Sequence, residues 1–192
     1  MTDLVLLIGN PRLGSRTRTL AETVARALTA ALERTGTSLR GSQVLELGEI
    51  VGVSFGPGPA HGGGSVADPF AVVRDARLLV VATPTYKGTY TGLLKIFLDQ
   101  YGAGALAGTV AVPVAIAASP AHRESVAVAL TALLAELGAG VAAPAVALLE
   151  PEIAAADRLA TEWAARHGAA IAEALAAHSD GAPVPLLPHG GP

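Results

Sequence analysis

The chain has 192 residues and is 51% hydrophobic, enough for one sizeable buried core and better suited to one domain than to two. Its formal net charge of -3, with no run rich in Lys or Arg, gives no electrostatic reason for a nucleic-acid partner. Without cysteine it can form neither a disulfide framework nor a thiolate nucleophile, a composition that fits a reducing compartment.

The opening MTDLVLLIGN lacks a basic region, and its apolar run is too short to span a bilayer. Leu4 to Ile8 therefore reads as a first strand rather than a signal or anchor, and a cytoplasmic protein with no membrane partner is expected. A helix from Arg18 to Arg34 follows, then a strand from Leu39 to Leu47. Residues 52 to 66, GVSFGPGPAHGGGSV, hold too much Gly and Pro for regular structure; a mobile lid and a plain surface loop both fit them. Helices are expected over Val66 to Asp75, Thr91 to Gly102, His122 to Leu137 and Glu152 to Ala177. Between them fall strands at Leu78 to Ala82, Val110 to Ala117 and Val141 to Leu149. Strand-length apolar runs alternating with helical periods point to an α/β three-layer sandwich around a five-stranded parallel sheet of order 2-1-3-4-5. The division expected is one domain over 1–177 and a Pro/Gly-rich tail over 178–192, which by composition is disordered alone and suited to packing on a neighbouring subunit.

In such a sheet ligands bind beyond the carboxyl ends of the strands, where the strand order reverses. The segment GNPRLGSRTRT sits there and runs into a helix, whose first N–H groups form an anion site. Asn10, Ser15, Thr17 and Thr19 add short polar side chains, while Arg12, Arg16 and Arg18 add paired charged donors, a set suited to a phosphate monoester. Ordinary N-capping and solvated arginines are the plainer alternative. The segment lacks both the Gly-Lys-Ser/Thr ending of a nucleotide-triphosphate loop and the G-x-G-x-x-G of a dinucleotide fold. Across the crevice, TPTYKGTYTG follows the third strand. Pro84 and Thr85 turn the chain there and put Tyr86 and Lys87 at the mouth, where an aromatic, exposed backbone and one cation suit a planar ring that gains negative charge on reduction. Subunit contact for Tyr86 and Tyr90 and solvation for Lys87 fit these residues too.

The two segments together, continued through PVAIAASPAHRESVAVAL at residues 113 to 130, resemble the NAD(P)H-dependent FMN reductases of the flavodoxin-like fold. The likeness covers Leu4 to Leu149 and is nearest the alkanesulfonate-type branch, the reductase halves of two-component monooxygenases. It implies FMN and NADPH or NADH as cofactors, with hydride transfer from nicotinamide to flavin and no catalytic side chain. It places the FMN phosphate on Asn10, Arg12, Ser15 and Thr17, with Arg16, Arg18 and Thr19 nearby. Pro84, Thr85, Tyr86 and Lys87 then lie along the ring, and Ala117, Ala118, Ser119 and His122 form a third contact loop. His122 fits equally a ring-side polar group and a plain first helical turn. The family often carries Gly-Gly where this chain has Ala117-Ala118, so a more restricted loop is expected. Asn10 stands where serine is usual. In the alkanesulfonate-type branch a tyrosine at Tyr90 accompanies a π-type widening of the following helix and flavin that dissociates as a substrate. The resemblance further implies a homodimer or homotetramer and a flavin-dependent monooxygenase as partner. Competing readings are an FMN-retaining quinone or azo reductase, a flavodoxin-like electron carrier and a non-catalytic flavin-binding module. The weak acidity of the chain and the arginines of its first loop speak against the carrier.

Overall fold

The computed structural model describes residues 2–50 and 68–179. The five expected strands are present as β1 (Leu4–Ile8), β2 (Ser42–Glu46), β3 (Leu78–Pro84), β4 (Val110–Ala117) and β5 (Val146–Leu149). All pair in parallel in the order β2-β1-β3-β4-β5, the flavodoxin-like arrangement. Helices α1 (Arg16–Arg34) and α6 (Ala156–Ser179) cover one face, while α3 (Pro69–Arg74), α4 (Gly92–Leu98) and α5 (Pro120–Glu136) cover the other. A single turn, α2 (Leu47–Ile50), follows β2, and a 3-10 helix over Glu150–Ala155 leads into α6.

Strand alternation divides the core. Leu4, Leu6 and Ile8 of β1 pack with Leu20, Val24 and Leu28 of α1 and with Trp163 and Ile171 of α6, whereas Val5 and Leu7 pack with Val73, Leu94, Phe97 and Leu130. Burial on both faces is why β1, β3 and β4 read as largely apolar runs.

Several boundaries differ from the sequence expectation, each for a local reason. β2 starts at Ser42, because Gly41 adopts φ +67°, outside strand geometry, and it ends before Leu47, which opens α2. β5 starts at Val146 because Pro144 has no N–H for a ladder and its carbonyl accepts from the Trp163 indole at 3.0 Å. α3 begins only at Pro69, with Asp68 accepting the N–H groups of Phe70 and Ala71. α1 and α5 begin two residues earlier than expected, behind the caps Ser15 and Ser119, and α4 stops at Leu98. The loop expected at 52–66 and residues 180 to 192 of the expected tail lie outside the described residues, whereas His178 and Ser179, expected in that tail, continue α6. Among the described residues no helix is long and apolar enough to cross a membrane.

At the opposite end of the sheet from the crevice, Asp3 ties three segments together. Its buried carboxylate accepts the Arg40 N–H at 2.9 Å and both guanidinium groups of Arg40 and Arg77, while its carbonyl accepts the N–H groups of Arg77 and Leu78. Burial alone raises the Asp3 pKa, but the hydrogen bonds and charge of Arg40 and the charge of Arg77 outweigh it, so the net shift is downward. A carboxylate with a depressed folded pKa stabilises the native state above its unfolded pKa of about 3.9 and loses that contribution as pH falls through the folded value. Asp3→Asn should therefore be less stable than wild type near neutrality, and the difference should shrink on acidification below about pH 4. Urea unfolding at pH 6.5 and pH 3 reads this directly; a gap that stays constant between the two would contradict it.

Candidate functional site

Beyond the carboxyl ends of β1, β3 and β4 lies a cleft of about 430 Å³. Its first wall is the loop between β1 and α1, contributing Asn10, Arg12, Leu13, Ser15, Arg16 and Thr17. The facing wall is Pro84, Thr85 and Tyr86, with Ile116 and Ala118 from the end of β4 and Glu150 from the end of β5.

The first loop is held by its own polar groups. Buried Asn10 accepts the Arg12 N–H at 2.9 Å and donates its side-chain amide to the Thr17 hydroxyl at 3.0 Å. Because the Thr17 oxygen accepts from Asn10, its proton is left to donate to an acceptor in the cleft. Ser15 caps α1 by accepting the Arg18 N–H at 3.4 Å. The first turn of α1 thus aims backbone N–H groups and the positive end of its dipole at the cleft. The Arg12 guanidinium is exposed and forms no ion pair with any described residue. Arg16 reaches across to Glu150 at 3.1 Å, an exposed pair worth at most about 1 kcal/mol and easily exchanged for a stronger anion.

The facing wall is built on backbone geometry. Thr85 donates both its N–H, at 2.8 Å, and its hydroxyl, at 2.9 Å, to the Ile116 carbonyl, fixing the end of β3 to β4. Tyr86 and Thr89 then exchange backbone hydrogen bonds of 2.9 and 3.3 Å around a two-residue turn. Both central residues are left-handed, Lys87 at φ 53° and Gly88 at φ 85°, as a type I′ turn requires. Lys87 is the one described non-glycine residue with positive φ, a conformation costing about 1 kcal/mol. The Ser125 hydroxyl donates to the Gly88 carbonyl at 2.5 Å and holds the turn against α5. Tyr86 is 46% exposed and its ring is open to the cleft mouth.

Two further contacts make the walls one body. The Thr91 hydroxyl donates to the Gly9 carbonyl at 2.6 Å while accepting the Leu94 N–H at 3.1 Å, and the Thr91 N–H donates to the Thr83 hydroxyl at 3.1 Å. A Cβ on Gly9 would lie 2.7 Å from that of Leu94, so the loop needs glycine to sit this close to α4.

Nine of the residues singled out in the sequence line the cleft: Asn10, Arg12, Ser15, Arg16 and Thr17 on one side, with Pro84, Thr85, Tyr86 and Ala118 on the other. The others stand off it. Arg18 is turned to the rear of the loop, where Glu22 at 2.9 Å and Glu46 at 2.6 Å hold its guanidinium and raise its pKa. The Thr19 hydroxyl turns back onto the Ser15 carbonyl. Lys87 stands in the neighbouring turn, Ser119 caps α5, and the exposed His122 ring sits beside Gly88. Tyr90 is half-buried against the core on the α3–α4–α5 face; it precedes α4, which starts regularly at Gly92 behind its Thr91 cap and carries no π-type widening. Ala117 and Ala118 both have negative φ, so this site does not demand the backbone freedom of a Gly-Gly pair. Leu13, Ile116 and Glu150 also line the cleft and were not anticipated. Their only sequence signal is position at a strand or loop end.

Residues 2–151 match the family model described as NADPH-dependent FMN reductase. A curated FMN reductase (NADPH) of Escherichia coli is 44% identical over 67 residues, 35% of this chain and 35% of that protein. The chain thus aligns with about a third of the length of that relative. Among solved structures, an oxidoreductase from Corynebacterium diphtheriae superposes with a TM-score of 0.68 at 25% identity, covering 90% of this chain and 99% of the other. The apo form of an NADH:FMN oxidoreductase gives 0.63 at 26% identity, covering 92% and 90%.

Proposed function

Since the chain belongs to the NADPH-dependent FMN reductase family, we propose that it binds FMN in the cleft between the first loop and the Pro84–Tyr86 wall and reduces it with NADPH or NADH. The observation that carries this reading is the donor set of the first loop: Thr17, Ser15, Arg12 and the start of α1 all border one cleft, opposite a wall that includes Pro84, Tyr86, Ile116 and Ala118. Those donors suit a phosphate monoester, and the Tyr86 ring with the Ile116 and Ala118 surface suits a planar heterocycle, so the residues present fit the group. When bound, FMN supplies the hydride acceptor.

The protein's own part is placement and exclusion. Arg12, Ser15 and Thr17 anchor one end of the flavin, and Arg16 exchanges Glu150 for the phosphate. The Tyr86–Thr89 turn, closed by two backbone hydrogen bonds, would give a bound ring a fixed wall, and hydride transfer demands such placement more than it demands an acid or base. Lys87, at the rim, lends positive potential to a ring that gains negative charge. Arg18 and Thr19 serve the fold of the loop in this reading. The division proposed from the sequence, a domain over 1–177 and a tail over 178–192, shifts by two residues, because α6 runs to Ser179.

Release of reduced flavin to a flavin-dependent monooxygenase, as the alkanesulfonate-type likeness implies, is proposed on the exposed Arg16–Glu150 pair, which makes the phosphate site exchangeable. Association into dimers or tetramers is proposed on exposed Phe70 and Ile96 beside half-buried Leu93 and Tyr101 on the α3–α4 face.

The test is oxidation of NADPH and of NADH by the purified chain, followed at 340 nm with and without added FMN. Activity that needs added FMN supports a reductase for which flavin is a substrate. Activity without it, from protein that keeps flavin through dialysis, favours a quinone or azo reductase. No oxidation of either nucleotide under both conditions would overturn the reading.

A further inference from the structure

Directly behind the first loop, at the end of β2, lies the Glu46 carboxylate, only 5% exposed. One of its oxygens accepts the Gly14 N–H at 3.0 Å and the other accepts from Arg18 at 2.6 Å. Gly14 has φ +58°, and the bond to Glu46 commits its N–H to the rear of the loop rather than to the cleft. Two residues further on, a Cβ on Gly48 would lie 2.8 Å from the Pro11 carbonyl oxygen and 3.1 Å from that of Asn10. The β2–α2 corner therefore presses on the loop at two points, through a carboxylate and through bare backbone. Neither Glu46 nor Gly48 lines the cleft.

A buried negative charge behind an anion-binding loop works against the ligand by Coulomb's law, and here a nearby arginine is committed to neutralising it. The arrangement makes sense if the carboxylate is kept for its shape. We propose that Glu46 is the positioning residue of the phosphate loop: by accepting the Gly14 N–H it fixes the Pro11–Ser15 backbone so that Arg12 and Ser15 face the phosphate, and by pairing with Arg18 it withdraws that arginine from the ligand. This rests on the reading of the cleft as an FMN phosphate site.

The test compares FMN and riboflavin binding, by flavin fluorescence titration, to wild type, Glu46→Ala, Glu46→Gln and Glu46→Asp. Alanine removes the acceptor, and aspartate keeps the charge but withdraws the oxygens from Gly14. Both variants should bind FMN at least tenfold more weakly while riboflavin affinity moves less than twofold. Glutamine keeps one acceptor oxygen for the Gly14 N–H but turns its amide nitrogen toward Arg18, which Glu22 still holds at 2.9 Å, so FMN affinity should stay within threefold of wild type. Tighter or unchanged FMN binding in the alanine and aspartate variants would show that charge outweighs shape and would overturn the assignment. Equal weakening toward both flavins would reduce Glu46 to a fold residue and overturn it too. Should the alanine variant not fold, the aspartate and glutamine variants decide by the same criteria. Equal affinity of the wild type for the two flavins would strike down the phosphate reading, a result separable from any of these.

Discussion

Thr17→Val should bind FMN about 10- to 100-fold more weakly than wild type with riboflavin affinity unchanged, the loss expected for a buried hydrogen bond of about 1.5–3 kcal/mol to a charged acceptor. Thr17 is 2% exposed, lines the cleft, and accepts from Asn10, which leaves its proton for the ligand. Valine keeps the shape of the side chain and removes only that function. Riboflavin lacks the phosphate and so reports any general damage to the ring site. The Asn10 amide loses its acceptor as well, so a modest fall in stability is expected beside the binding effect. If FMN and riboflavin weaken in parallel, Thr17 acts through Asn10 alone and the donor role fails.

The largest effect on stability belongs to Thr91. Thr91→Val should lower the unfolding free energy by about 2–6 kcal/mol, because it strands two buried backbone groups, the Gly9 carbonyl and the Leu94 N–H, at about 1–3 kcal/mol each. The residue is 2% exposed, so water cannot take over either bond. A loss below about 1 kcal/mol in urea unfolding would mean that the loop relaxes and re-pairs those groups. Because this hydroxyl bridges the β1 loop and α4, the same variant should loosen the cleft and raise the Kd for both flavins alike, in contrast to Thr17→Val.

What the sequence revealed follows from how local each signal is. The buried parallel strands showed themselves as apolar runs, and the donor-rich loop as a cluster at a strand end, so β1, β3, β4, Asn10, Ser15 and Thr17 could be read directly. Strand ends were less legible: Gly41 and Pro144 cut β2 and β5 short through backbone conformation, which apolar pattern does not report. Arg18 looked like a ligand because its partner Glu46 is far along the chain and comes near only once β2 lies beside β1. Glu46 itself read as an ordinary strand residue. The segment YKGT suggested charge at the mouth, whereas its structural content is a pair of left-handed residues, a property that a lysine does not announce. Tyr90 was read through the likeness to relatives; its regular setting before α4 reflects a capped helix start that the Thr91 hydroxyl supplies locally.

The place of β1 inside the sheet, between β2 and β3, bears on how the chain is made. Leu4 pairs with Ser42 on one side and with Leu78 on the other, so this strand leaves the ribosome before both of its neighbours, the second of which comes only after α3. No hairpin can shelter it in the meantime, and its five apolar residues have to wait through the closure of long loops. Until Leu78–Pro84 emerges, the nascent chain carries LVLLI with an open edge and no partner on that side, the kind of segment that chaperones cover and that aggregates when synthesis outruns them. Pausing translation between α1 and β3 should therefore prolong the stage at which the chain is most easily lost, while a pause after β4 should be harmless.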